Sequence, residues 1–301
     1  MMATLAESIR ATFTSVVFSK VRQLWFGHVA DDTQLVLPPS NLIQQWFTSD
    51  ASFDKLCREN FQTQLSFITD TQSHDSGKEK LSGNTILSAL GHNPSTPSTP
   101  GSLKPLDFLP LIILLDQVPR NCYRGDLAKI AFTIFDPLVL DIVKTAIAQR
   151  IPQSPEIRYR VGYRLWFYLP LQHSEDRTIQ DLSVREHRGI FEDLHELIRS
   201  DPGANLKEAA DVPIHAELGS LNEMEMRQFL LQNPQGLEKW ENMLPSFAVR
   251  HQAVIDRFGR FPHRNEVLGR QPTEEEARYL REGGETFVSS REKFASEHGG
   301  A

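Results

Sequence analysis

A chain of 301 residues, 40% hydrophobic and 24% charged, is long enough to bury a sizeable core and has the balance of a soluble globular protein. Its formal net charge of −7 excludes a general nucleic-acid-binding surface, which needs a basic face, yet is compatible with a local basic patch for one anionic ligand. Two cysteines, Cys57 and Cys122, build neither a disulfide framework nor a CxxC zinc site, and no run approaches the roughly 20 apolar residues of a membrane span.

In chain order, the N-terminal stretch MMATLAESIRATFTSVVFSKVRQLWFG carries Arg10 and Lys20 with few acids near its start. Its apolar spacing continues into Leu24, Trp25 and Phe26, which predicts a helix; a mitochondrial transit peptide is the other reading. The expected compartment is the cytoplasm, with mitochondrial targeting not excluded. Phe53, Leu56, Cys57, Phe61, Leu65 and Ile68 recur at helical steps, with Asp50 or Ser52 as N-cap. From 69 to 105 the composition turns to Ser, Thr, Gly, Pro and Asp, including NPSTPSTPGS. That segment reads as a low-complexity, disordered or loosely held insertion, because it has too little apolar surface to offset its ordering entropy.

Leu111 to Leu115 is the longest apolar run and reads as a buried helix. Leu138, Ile142, Val143, Ala146 and Ile147 repeat the helical period after Pro137, which suits a first turn. Ile190, Leu194 and Leu197 mark a further helix, and Ser200 to His215 is irregular, with DPGAN and DVP as turn signals. Val249, Val254 and Phe258 end another helix, and Thr273 with Glu276 has capping-box spacing. No alternating strand is found, so the expected class is all-α, as a single domain over residues 1–301.

Three polar segments interrupt this pattern. In LLDQVPRNCYRG, Leu114 to Gly125, Pro119 is expected to stop the apolar helix, and Asp116, Arg120 and Asn121 fall beside the core, where unpaired charge is costly. Asp116 is either half of a structural ion pair or a site carboxylate. In FYLPLQHSEDRTIQD, Pro170 is expected to break a helix, Ser174 to cap the next one, and Glu175 and Asp176 to fill its first turn. His173 is then a general base or a satisfied turn histidine. RFGRFPHRNEVLGR, Arg257 to Arg270, begins with Phe258 ending a helix, Gly259 as its C′ residue and Pro262 preventing continuation. Its arginines, Arg257, Arg260, Arg264 and Arg270, match carboxylate or phosphate geometry. Internal salt bridges to Asp116, Glu175 and Asp176 would use them equally well.

No metal is expected: His173, His263, Glu175 and Asp116 are suitable ligand types without HExxH or comparable spacing. Neither a Gly-rich phosphate loop nor a GxSxG elbow is present, and no cofactor is implied.

LWFG at Leu24 to Gly27, LLDQVPRNCYRG, YLPLQHSED and RFGRFPHRNEVLGRQPTEEE together resemble the signature blocks of domain-of-unknown-function family 924, bacterial and fungal, over residues 24–287. The resemblance implies an all-α fold similar to the tetratricopeptide-repeat superhelix, as an irregular helical array, and implies no activity. The chain departs from the family pattern at Gln172, where methionine is common, and in the polar segment after Thr69. No 34-residue internal repeat is visible.

The expected function is a soluble, cofactor-independent enzyme, of hydrolase or transferase type, acting on a small anionic metabolite. Its catalytic candidates are His173, His263, Glu175, Asp176 and Asp116; Arg120, Asn121, Arg260, Arg264, Asn265 and Arg270 are the ligand-binding candidates. The alternative is a non-catalytic helical protein that recognises a peptide or protein partner, with the charged blocks as internal struts.

Overall fold

The structure, a computed structural model, describes residues 4–47, 50–73, 81–92, 103–200 and 218–287, and these are all-α, with no strand among them. The first half contains α1 (Leu5–Thr12), α2 (Ser15–Phe26), α3 (Thr33–Val36), α4 (Ser40–Phe47), α5 (Ala51–Ser73), α6 (Gly83–Ala89) and α7 (Pro105–Cys122). A short α8 (Ala128–Ile130) runs through a π-helical segment, Ala131–Phe135, into α9 (Asp136–Ala148). Then come α10 (Val161–Gln172), α11 (Arg177–Arg199), α12 (Glu223–Gln232), α13 (Pro234–Phe258) and α14 (Glu274–Arg281). No helix among the described residues is long and apolar enough to cross a membrane.

The expected single domain resolves into two compact units. Unit 1 comprises Met1–Phe26, Thr48–Ile151 and Pro262–Thr286; unit 2 comprises Gly27–Phe47, Pro152–Phe261 and Phe287–Ala301. Each is assembled from three separate stretches of chain, so no linker marks the division in the sequence.

Each unit is organised on one helix buried on nearly every side, the pattern of a helix apolar all round. In unit 1 that helix is α7, against which α2, α5 and α9 pack; in unit 2 it is α10, with α3, α11 and α13 around it. Each helix contains a proline that was expected to end it, Pro119 in α7 and Pro170 in α10. α7 continues through Pro110 and Pro119 to Cys122, and α10 continues through Pro170 to Gln172. Proline removes one intrahelical donor, and burial leaves room to replace it. Pro110 has no N–H for the Leu106 carbonyl, and Arg22 Nη1 on α2 donates to that oxygen at 3.3 Å.

α10 ends without a glycine because Gln180 on α11, fully buried, donates its amide to the carbonyls of Leu171, Gln172 and Ser174 at 3.4, 3.0 and 2.6 Å. The carbonyls of Leu171 and Gln172 are orphan acceptors of the helix C-terminus, and that of Ser174 follows in the turn. Other termini follow local rules. Thr273 and Glu276 form the expected capping box of α14, at 2.7 and 3.1 Å, and Asp50 accepts from the Ser52 N–H at 2.8 Å. Gly259 ends α13 with φ 67°, a conformation that favours glycine, and bonds the Ile255 carbonyl at 2.8 Å.

The 69–105 segment is not uniformly coreless. α5 runs to Ser73, and α6 buries Ile86 and Leu87 and packs on α1 and α9. Gly83 permits that approach, since a Cβ there would lie 2.3 Å from the Leu138 carbonyl oxygen. The apolar residues Ile86, Leu87, Ala89 and Leu90 span little more than one helical turn inside polar flanks, too short a window for periodicity to register. Residues 74–80 and 93–102 lie outside the described residues, as do 201–217 of the irregular stretch after Ser200.

Candidate functional site

In unit 1 an ionic cluster forms where α7, the π-helical segment, the start of α9 and the turn Pro262–Arg264 meet. Asp116 and Arg120 are one helical turn apart on α7, so they share a face. Arg120 Nη2 donates to Asp116 Oδ1 at 3.3 Å and to Asp136 Oδ1 at 2.5 Å. Asp116 Oδ2 accepts from Gln117 Nε2 at 2.6 Å. Arg264 Nη1 approaches Asp136 Oδ2 at 3.6 Å, and its guanidinium lies 4.4 Å from the centre of the Phe132 ring, with Arg120 at 6.0 Å from the same ring. Phe132 and Asp136 are brought to this position by the π-helical turns, a local widening that recurs at functional sites.

Side chains of the cluster are largely buried: Asp116 is 1% exposed, Arg264 8%, Asp136 13% and Arg120 16%. Burial works against the Arg120 charge, but the carboxylates of Asp136 and then Asp116 outweigh it and raise its pKa, so it remains a cation. Asp136 Oδ2 is buried and accepts no hydrogen bond. The arrangement offers two guanidinium groups to anionic oxygens and a carboxylate oxygen able to take a proton.

The remaining candidates of unit 1 divide. Asn121 is taken up by the end of α7, donating to the Gln117 carbonyl at 3.0 Å and accepting from Arg124 at 3.4 Å. His263 is half-buried in the Pro262–Arg264 turn. Arg270 closes the next turn through its backbone N–H, which bonds the Asn265 carbonyl at 2.8 Å, while Gly269, at φ 66°, bonds Glu266 at 3.0 Å. This pair of bonds is a Schellman motif and explains Gly269. Asn265 itself is 3% exposed, and neither of its side-chain amide atoms has a hydrogen-bond partner.

His173, Glu175, Asp176 and Arg260 belong to unit 2. His173 is the C-cap of α10, in the turn that leads to α11. The N-cap of α11 is Asp176, not Ser174: Asp176 Oδ1 accepts from Thr178 N–H at 2.7 Å and Ile179 N–H at 3.4 Å, and Ser174 Oγ accepts from Asp176 N–H at 3.2 Å. A carboxylate two residues further on is the better acceptor for the positive helix end. Glu175 Oε1 accepts the Phe261 N–H at 2.8 Å and so ties down the turn after α13. Arg260 lies in that turn, half-buried.

A family model described as "Bacterial protein of unknown function (DUF924)" matches residues 21–284. The chain belongs to this family. Every candidate residue lies inside the DUF924 match. A solved structure, a protein of unknown function from Agrobacterium tumefaciens, is 24% identical over 90% of this chain and 99% of that chain, with a TM-score of 0.48. No curated protein matches.

In this DUF924 chain, sequence reasoning missed Asp136 and Phe132 in the cluster. The one local signal was an acid directly before Pro137, in the first turn of a helix. It also missed Asp32 and Arg160, the most buried ion pair of unit 2, which are separated by 128 residues. Gln172 donates to the Nε2 of buried His187 at 3.0 Å.

Proposed function

We propose that this DUF924 protein is a soluble, cytoplasmic, cofactor-independent enzyme that acts on a small anionic metabolite by hydrolysis or group transfer, with unit 1 holding the anion. The observation that supports this is the sharing of Asp136 between two arginines. A structural strut from α7 to α9 is complete with Arg120 alone, which already pairs Asp116 and Asp136. Arg264 adds a second, largely buried cation beside a carboxylate that Arg120 already counters, and two guanidinium groups close together suit the oxygens of a carboxylate or phosphate. In this reading Arg264 and Arg120 take the carboxylate or phosphate of the ligand, and Asp136 Oδ2 accepts a proton.

A second reading, a non-catalytic helical protein of tetratricopeptide-like character that recognises a peptide or protein, is favoured by a different observation. Two of the expected catalytic carboxylates, Glu175 and Asp176, accept backbone N–H groups and hold elements together.

The deciding experiment is a thermal-shift panel of small carboxylates and phosphates on the parent and on Arg264→Gln. At about 100 times its dissociation constant a ligand of the native state adds roughly 2.7 kcal/mol, which is roughly 5 °C in a chain of this size. The expected result is a hit in the parent whose shift disappears in the variant. No stabilising acid, or a shift that survives Arg264→Gln, would overturn the anion site.

A further inference from the structure

We propose that Asn265 is the specificity-determining residue of the anion site, and that the ligand is an acid carrying a hydroxyl or N–H group close to its carboxylate or phosphate; this rests on the anion site proposed above. Asn265 directly follows Arg264, is 3% exposed, and has neither side-chain amide atom in a hydrogen bond. Its backbone is fully engaged in the turn: its N–H bonds the Pro262 carbonyl at 3.1 Å, and its carbonyl accepts from Arg270 N–H at 2.8 Å. The turn therefore closes without the side chain. Buried amides of native proteins nearly always have partners, and an orphaned one costs stability that an apolar residue of similar size would not.

The chemistry of the two neighbours is complementary. A guanidinium has five donors and no acceptor, so Arg264 recognises acceptor oxygens and cannot take a hydrogen bond from a ligand's donor. The Asn265 amide adds the acceptor that arginine lacks. Consecutive Cα atoms are about 3.8 Å apart, and the proposal sets one small molecule against both residues. A plain acid leaves the Asn265 carbonyl oxygen unsatisfied. An acid with a donor on a neighbouring carbon satisfies it, and the Asn265 N–H groups add donors to the acid oxygens.

The test uses matched acids that differ by a hydroxyl: malate against succinate, lactate against propionate, and glycerol 3-phosphate against propyl phosphate. Binding is read by thermal shift on the parent and on Asn265→Leu, with Asn265→Ala replacing the leucine variant if that one does not fold. In at least one pair the hydroxylated acid is expected to bind the parent about ten- to a hundredfold more tightly, the factor that corresponds to an unsatisfied buried group. That preference is expected to fall to near onefold in the variant, and ligand-free Asn265→Leu to melt no lower than the parent. Equal binding within every pair, a preference that persists in the variant, or a large drop in the ligand-free melting temperature of both variants would overturn the role of Asn265 and leave the anion site standing. Failure of every acid to bind would overturn the anion site, and this proposal with it.

Discussion

Asp32 in unit 2 and Asp136 in unit 1 are both carboxylates held by arginine, yet one environment is complete and the other is not. Asp32, fully buried, accepts Arg160 Nε at 2.8 Å and Nη2 at 2.5 Å, and the backbone N–H groups of Gly219 and Leu221 at 2.9 and 3.0 Å. Arg160 spends its other donors on the carbonyls of Pro155, Glu156 and Leu221. The pair thus fastens the chain around Leu221 to the start of α10 and has nothing left to offer a ligand. Asp136 has one oxygen on Arg120 and the other 3.6 Å from Arg264 without a hydrogen bond, and Asn265, next to Arg264, has an unsatisfied amide. Buried charge therefore plays two parts in this protein. A saturated pair is a structural clamp, whereas the unsaturated group is the one to which the proposed function assigns a ligand.

The difference can be broken most forcefully at Arg160. Replacing it by methionine strands a buried carboxylate whose arginine partner is Arg160, and the expected loss is about 3–5 kcal/mol in a urea unfolding experiment with unchanged slope. A loss below about 1 kcal/mol would show that the backbone N–H groups hold Asp32 by themselves and that the clamp is not ionic.

Unit 2 also satisfies its buried histidine, and acid tests that. His187 donates Nδ1–H to the Ser183 carbonyl at 2.7 Å and accepts from Gln172 at Nε2, which fixes the neutral tautomer. Burial pushes its pKa down to about 4 from an ordinary 6.5. The unfolded chain takes up this proton first as pH falls. Stability from the neutral ring is therefore complete above pH 6.5, is lost between 6.5 and 4, and amounts to about 3 kcal/mol. Urea midpoints measured across this range should decline in the parent more steeply than in His187→Leu; parallel slopes would mean that the ring is reached by solvent.

The smallest effect belongs to the unsaturated cluster. Ligand-free Arg264→Gln is expected to lose about 1 kcal/mol or less, because Asp136 keeps Arg120 as its counter-charge. A loss as large as that of Arg160→Met would make Arg264 a second clamp and remove the contrast between the two carboxylates.

Much of the fold was legible because its signals are local. The helix over Phe53 to Ile68, the Thr273–Glu276 capping box and the left-handed Gly259 follow from contacts within four or five residues, and all three are present. Pro119 and Pro170 misled because a proline's missing bond is judged locally, whereas its replacement can come from elsewhere in the fold. Pro110 shows this: it leaves the Leu106 carbonyl without an intrahelical donor, and the packing of α2 brings Arg22 to it. The candidate site was half legible: the charged segments around Asp116 and Arg264 stand out, but Asp136 does not.

What the amino-acid sequence determined by itself is where helices start, stop and turn their apolar faces, since caps and periodicity depend on neighbours along the chain. The tertiary structure alone decided which charge meets which. Arg264 approaches Asp136, a residue absent from its expected partners, and Arg160 finds Asp32 across 128 residues. The physical reason is that a buried charge takes whichever counter-charge the packed helices bring within a few ångströms, and that distance is set by packing rather than by sequence separation.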